Sequence, residues 1–246
     1  MRFQHHLTLR DYVAASDETT RELLDVQNEF GAALDQADRF FADGFWSGDH
    51  EIGPIPAFLA WNAFTLFLAG TRLALSGHAL AIFPTLRTSL EAACYAFQTA
   101  HRPELVEVWL NRNNEPEAFK ASKKAFAPAV KETADALRLR RQDIGDLVQD
   151  IYDAAIDFGG HPNPKGVLEH LTFQDADEGE FQPINSAVLY RSGDFHTKRA
   201  IIACLDFAIT VGFVLLYVPE QVPERALAPL EALYETKMRL AASMAE

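Results

Sequence analysis

The chain has 246 residues, 48% of them apolar and 11% aromatic, enough to bury a substantial core and to exclude a disordered chain. Its net charge of −13, from 35 acidic and 22 basic residues, opposes non-specific attraction to phosphate backbones and to anionic membranes. No DNA and no membrane partner is therefore expected, and contact with RNA would need a local basic patch.

In chain order, the opening MRFQHHLTLRDY lacks the apolar core of a signal peptide, so a cytoplasmic location is expected. Ser16 is placed to cap a helix running to about Ala42, with Leu23, Phe30, Ala33, Leu34, Ala37 and Phe41 at helical spacing. The opposite face is charged, which makes it an outer helix. GFWSGDHEIGPIP has three Gly and two Pro and reads as a loop. An apolar helix from about Pro56 to Ser76 follows, stopped by Gly77. Ala79 to His101 is apolar on nearly every side and predicts a helix buried among others, ended by His101-Arg102-Pro103. Pro84 either starts that helix at its first turn or kinks a longer one.

From Glu104 the helical pieces shorten and the charge rises. Here lies the basic concentration Lys120, Lys123, Lys124, Lys131, Arg138, Arg140 and Arg141, which reads either as a solvated helical face or as a contact surface for RNA or an acidic partner. Asp143 to Phe158 is amphipathic and ends at Gly159-Gly160, before a tight turn at His161-Pro162. Val167 to Gln174 and Phe181 to Tyr190 flank the acidic DADEGE, which predicts a small β-hairpin insertion near residues 167–190, with Pro183 limiting its second arm to an edge. Ser192 or Asp194 can cap a long helix to Val218, in which Ala200 to Val218 carries Asp206 as its only charge. That run just reaches bilayer length, but a mid-span aspartate is costly in lipid, so it reads as a bundle core helix. A last helix, roughly Pro223 to Met244, packs Leu227, Leu230, Leu233, Tyr234 and Leu240. The expected fold is a single all-α helical-bundle domain, 1–246, with the hairpin inserted.

Polar residues stranded on apolar elements are the informative set: Arg87 and Glu91, Asp157 and His161, and Asp206. Arg87 and Glu91 are four apart and share a face, so they predict a buried pair, with Arg87 bridging Glu91 and Asp206 as a structural network. The functional alternative is a ligand or acid-base pocket around Arg87, Glu91 and His161. Neither a HExxH nor a repeated Glu-x-x-His is present, so no metal and no cofactor is expected. Cys94 and Cys204 lie in apolar helices and read as inert. Arg191 and His196, at the mouth of the long helix, are a candidate catalytic pair for metal-independent RNA cleavage, the Arg holding a phosphate and the His moving a proton.

LRTSLEAACYAF, the following PELVEVWL, and the Tyr152 to His161-Pro162 turn resemble the HEPN superfamily of prokaryotic helical domains and related bacterial helical proteins. The resemblance covers about Pro84 to Pro164, with Arg191 to His196 a separate echo. It implies a bundle of four or more helices, frequent homodimers, a role in bacterial defence or stress and, in catalytic branches, a ribonuclease motif that falls here on Arg191 and His196. Ser192 and Gly193 depart from that motif's usual form. The leading expectation is an HEPN-like protein acting through association with itself or a protein partner. The alternatives are a ribonuclease and a small-molecule-binding protein or enzyme.

Overall fold

The computed structural model describes residues 8–25, 27–47, 51–160, 164, 168, 171–173, 184–187, 189–222 and 224–244. They form an all-α bundle. The helices are α1 (Leu9–Leu23), α2 (Glu29–Arg39), α3 (Pro54–Leu75), α4 (Ile82–His101), α5 (Glu104–Leu110), α6 (Pro116–Phe126), α7 (Ala129–Arg138), α8 (Gln142–Ala155), α9 (Phe195–Leu216) and α10 (Glu224–Ser243). Two π-helical segments, Phe40–Trp46 and Ile156–Gly160, extend α2 and α8.

α4 is the centre. It packs against α3, α7, α8 and α9, and buries Ile82, Leu86, Leu90, Ala93, Cys94 and Phe97. Pro84 sits in its first turn, where its missing N–H leaves no gap in the helix. α3 starts with Pro54 and ends before Gly77, close to the range the sequence predicts. By length and composition α3 and α9 could each cross a membrane, but 78% of the most apolar stretch of α9 is buried by the rest of the bundle, against 50% for α3.

The first expected helix is two. Thr8, not Ser16, caps α1, in a reciprocal capping box with Asp11, and Ser16 is buried mid-helix. Asn28 then caps α2, its Oδ1 accepting from the N–H groups of Phe30 and Gly31 at 3.0 and 3.2 Å. Gly31 makes this corner: a Cβ there would lie 1.9 Å from the carbonyl oxygen of Leu23. α9 begins at Phe195 and stops at Leu216, earlier than expected, and Asp194 occupies its cap position. In α10, Leu230, Leu233 and Leu240 are fully buried, whereas Tyr234 is 44% exposed and lies outside the core that was expected to hold it.

The hairpin expected over 167–190 is not seen as a formed insertion. Among the described residues it reduces to Leu171–Phe173 (β1) antiparallel to Ile184–Ser186 (β2), and three-residue strands are too short for a stable two-stranded unit of their own. The acidic run and Pro183 lie outside the described residues.

His78, just after α3, fixes α1 to the bundle. Its Nε2 meets the Tyr12 hydroxyl and its Nδ1 lies 2.8 Å from Ser76 Oγ. Burial lowers the imidazole's pKa below the ordinary 6.5, outweighing a raising contribution from Ser76, with Arg72 adding to the drop. The unfolded chain therefore binds the His78 proton more readily. Stability from this contact is complete above pH 6.5 and is lost as pH falls through the lower folded value. We expect amide-exchange protection factors in α1, corrected for the intrinsic pH dependence of exchange, to fall between pH 7 and pH 5 more than those in α4, and His78→Gln to flatten that difference.

Candidate functional site

The central polar pair forms, but not where the apolar stripe implies. Arg87 Nε lies 3.4 Å from Glu91 Oε1, with side chains 25% and 29% exposed, so the pair is half-buried at the edge of the α4–α8 seam. Tyr152 of α8 donates its hydroxyl to Glu91 Oε1 at 3.1 Å. Burial, then the Glu91 charge, raises the pKa of the Tyr152 phenol above its usual value and does the same for Tyr95. Asp206 does not join: it is taken by Lys237, whose Nζ lies 2.6 Å from Asp206 Oδ1. Lys237 lies on a different helix, and no spacing in the sequence relates it to Asp206. With water reaching the pair, Glu91→Ala is expected to cost about 1–2 kcal/mol. Thermal melts of Glu91→Ala and Glu91→Gln check this, and a loss near that of a buried ion pair would mean the seam is drier than its exposure shows.

Asp157 is exposed on the π-helical turn after α8, and His161 lies outside the described residues, as do His5, His6 and His170. Among the described residues no three His, Cys, Asp or Glu side chains converge to hold a metal. Burial pushes the thiols of Cys94 and Cys204 up to about 12, so neither is a nucleophile.

Arg191 and His196 are separated by the turn between them. Arg191 is exposed before the helix, where its backbone N–H donates to Asp194 Oδ2 at 2.8 Å. His196 is in the first turn of α9, its ring 4.6 Å from that of Tyr190. The arginine that shares a pocket with His196 is Arg199, one turn on, with its guanidinium 4.9 Å above the Phe158 ring. Three-residue spacing on one helix was the available signal; looking for an arginine ahead of the histidine hid it.

The basic concentration divides by helix. Lys120, Lys123 and Lys124 are exposed on α6. Lys131 pairs with Asp135 at 2.6 Å, Arg138 bridges Asp135 and Asp146 at 2.6 and 2.7 Å, and Arg141 holds Asp143 at 2.6 Å. Arg140 lies over the Tyr217 ring at 5.5 Å. Carboxylates thus neutralise much of what looked like a cationic face. The hydrogen bonds from Lys131 and Arg141 hold Asp135 and Asp143 below the usual carboxylate range.

One concave feature with polar groups among apolar ones is a pocket of about 200 Å³ between the α3–α4 corner, α8 and α9. It is lined by Leu80 and Phe83 from the α3–α4 corner, Ile151 and Phe158 from α8 and its π-helical extension, and Ala203 and Phe207 from α9. His196 and Arg199 stand toward the start of α9, and Asp206 lies two turns beyond Arg199. An apolar slot with a few convergent polar groups can select a small molecule by shape and orient it by charge. No family model, curated protein or solved structure matches the chain, so any functional reading rests on these residues.

Proposed function

We propose that the chain is a HEPN-like helical-bundle protein that acts mainly through association, docking a second copy of itself on the outer face of α3. The observation that carries this reading is an apolar stripe, with Phe58 65%, Trp61 52% and Leu68 40% exposed. Contiguous exposed apolar surface of this kind marks interaction sites. The choice of a second copy rests on charge: Pro54 to Thr71 contains no ionisable side chain on a protein of net charge −13. Two such faces can meet without the like-charge repulsion that most of this acidic surface would impose. Trp61 is also braced at 5.2 Å from Trp46, so the stripe is a stiff surface with little side-chain entropy to lose. A role in bacterial defence or stress belongs to this proposal through the family resemblance alone. The ribonuclease reading on Arg191 and His196 has weaker support, since Arg191 is exposed ahead of the helix and Lys131, Arg138 and Arg141 are occupied by carboxylates.

The test is solution mass by light scattering at tens of micromolar protein. The wild type is expected to run as a dimer and Phe58→Glu/Trp61→Glu as a folded monomer with unchanged helical circular dichroism. A monomeric wild type, or a double variant that still dimerises, would overturn the proposal.

A further inference from the structure

We infer that the pocket between α4, α8 and α9 is a binding site for a small aromatic carboxylate carrying a hydrogen-bond donor at its far end, held by Arg199 and His196 at one end and by Asp206 at the other. This is independent of the α3 surface, and three features of the pocket define the ligand.

Size comes first. An apolar cavity of about 150 Å³ holds benzene, so the roughly 200 Å³ here accommodates one aromatic ring with a short substituent. The lining agrees, because Leu80, Phe83, Ile151, Ala203 and Phe207 present apolar surface to a ring, while Phe83 and Phe158, stacked on each other at 5.7 Å with planes 29° apart, keep that side of the pocket stiff.

Charge polarity comes second. Arg199 and His196 occupy one end, and a guanidinium carries five N–H donors in a planar fork, so it can take a carboxylate beside its other contacts. The contact with Phe158, 4.9 Å from Cζ to the ring centroid, braces the guanidinium where it lines the pocket, within reach of a ligand carboxylate.

The opposite end carries a hydrogen-bond acceptor. Asp206 and Arg199 are seven residues apart on α9, about 10 Å along the helix axis, and both line the pocket. Asp206 Oδ1 is held by Lys237, which keeps the carboxylate in place and leaves Oδ2 as an acceptor for a ligand hydroxyl. A zwitterionic amino acid, with its charges close together, does not match this separation, whereas a para-hydroxylated aryl acid does.

The experiment is calorimetric titration of the full chain with 4-hydroxyphenylacetate, phenylacetate and 4-ethylphenol. The hydroxy acid is expected to bind most tightly and each of the others at least tenfold more weakly. Arg199→Gln should weaken the two acids at least tenfold while leaving 4-ethylphenol within about twofold. Asp206→Asn should weaken the two phenols and spare phenylacetate. Ala203→Phe, which adds a ring to the pocket lining, should abolish binding of all three with helical content retained. No binding of either acid at millimolar concentration, equal loss of acids and phenol in Arg199→Gln, or unchanged affinity in Ala203→Phe would each overturn the assignment. If Arg199→Gln fails to fold, Arg199→Lys decides: weaker binding of the acids with unchanged 4-ethylphenol supports the site, and unchanged binding of all three refutes it.

Discussion

Replacing Lys237 by Met is expected to lower the stability of the folded chain by about 2–4 kcal/mol at pH 7, more than any other single change on the polar surface. The pair it breaks is short, 2.6 Å from Nζ to Asp206 Oδ1, and its side chains keep only 16% and 22% of their exposure. Asp206 sits on a helix whose neighbours are almost entirely apolar, so its carboxylate has few other partners to replace the ammonium. Burial raises its pKa above the ordinary 3.8, and the Lys237 hydrogen bond and charge pull it part of the way back. With a folded-state pKa raised in this way, the native chain holds the proton more tightly than the unfolded chain. Asp206 then favours folding at low pH and opposes it as pH rises through the folded value. Removing Lys237 enlarges that opposition, so the deficit of Lys237→Met should be largest at pH 7 and shrink toward pH 4.5. Urea denaturation of the wild type and variant at both pH values checks the sign. The double variant Asp206→Leu/Lys237→Met should recover most of the loss, because two apolar groups of similar volume leave no charge stranded. A deficit under about 0.5 kcal/mol at pH 7, or one independent of pH, would mean that water replaces the ammonium freely.

The parts of the fold legible in the sequence are those decided by local chemistry. α3, α4 and α9 are long apolar runs with Pro or Gly at their ends, and helix type follows from periodicity and stop signals alone. The break between α1 and α2 was also written there, as Asn28 three residues before Gly31, but the apolar repeat continues across it and masks the cap. Burial of polar residues was less legible, because it depends on which helices close over them. Arg87 and Glu91 meet as their four-residue spacing requires, yet they lie at a seam that water enters. Asp206 finds its partner on α10, thirty-one positions away, which no periodicity announces. Arg199 joins His196 through nothing more than one turn of helix, and only the walls from α4 and α8 turn that adjacency into a pocket.

Those walls depend on the corner at Gly77, and Gly77→Ala is expected to cost about 3 kcal/mol or more. Gly77 has φ of 80°, where an L side chain costs roughly 1–2 kcal/mol, and it closes α3 in a Schellman motif. Its own N–H bonds Ala74 O at 3.0 Å and the N–H of His78 bonds Leu73 O at 2.9 Å. The segment before α9 lies directly against it: the Tyr190 N–H donates to Gly77 O at 3.0 Å, and a Cβ at Gly77 would lie 2.2 Å from Tyr190 O. That oxygen belongs to backbone, so relief requires moving the segment that carries Tyr190 and, through its ring contact, His196. Urea midpoints separate the two sources of strain. Gly77→Asn tolerates the left-handed backbone but still carries a Cβ, so it should be nearly as damaging as Ala if the contact with Tyr190 dominates, and should recover a large part of the loss if φ dominates. We expect the first outcome, because the clash is with backbone and the φ penalty alone accounts for less than the predicted loss. Gly193, with nothing within 4 Å of where its Cβ would stand, provides the control: Gly193→Ala should change stability by no more than about 0.5 kcal/mol.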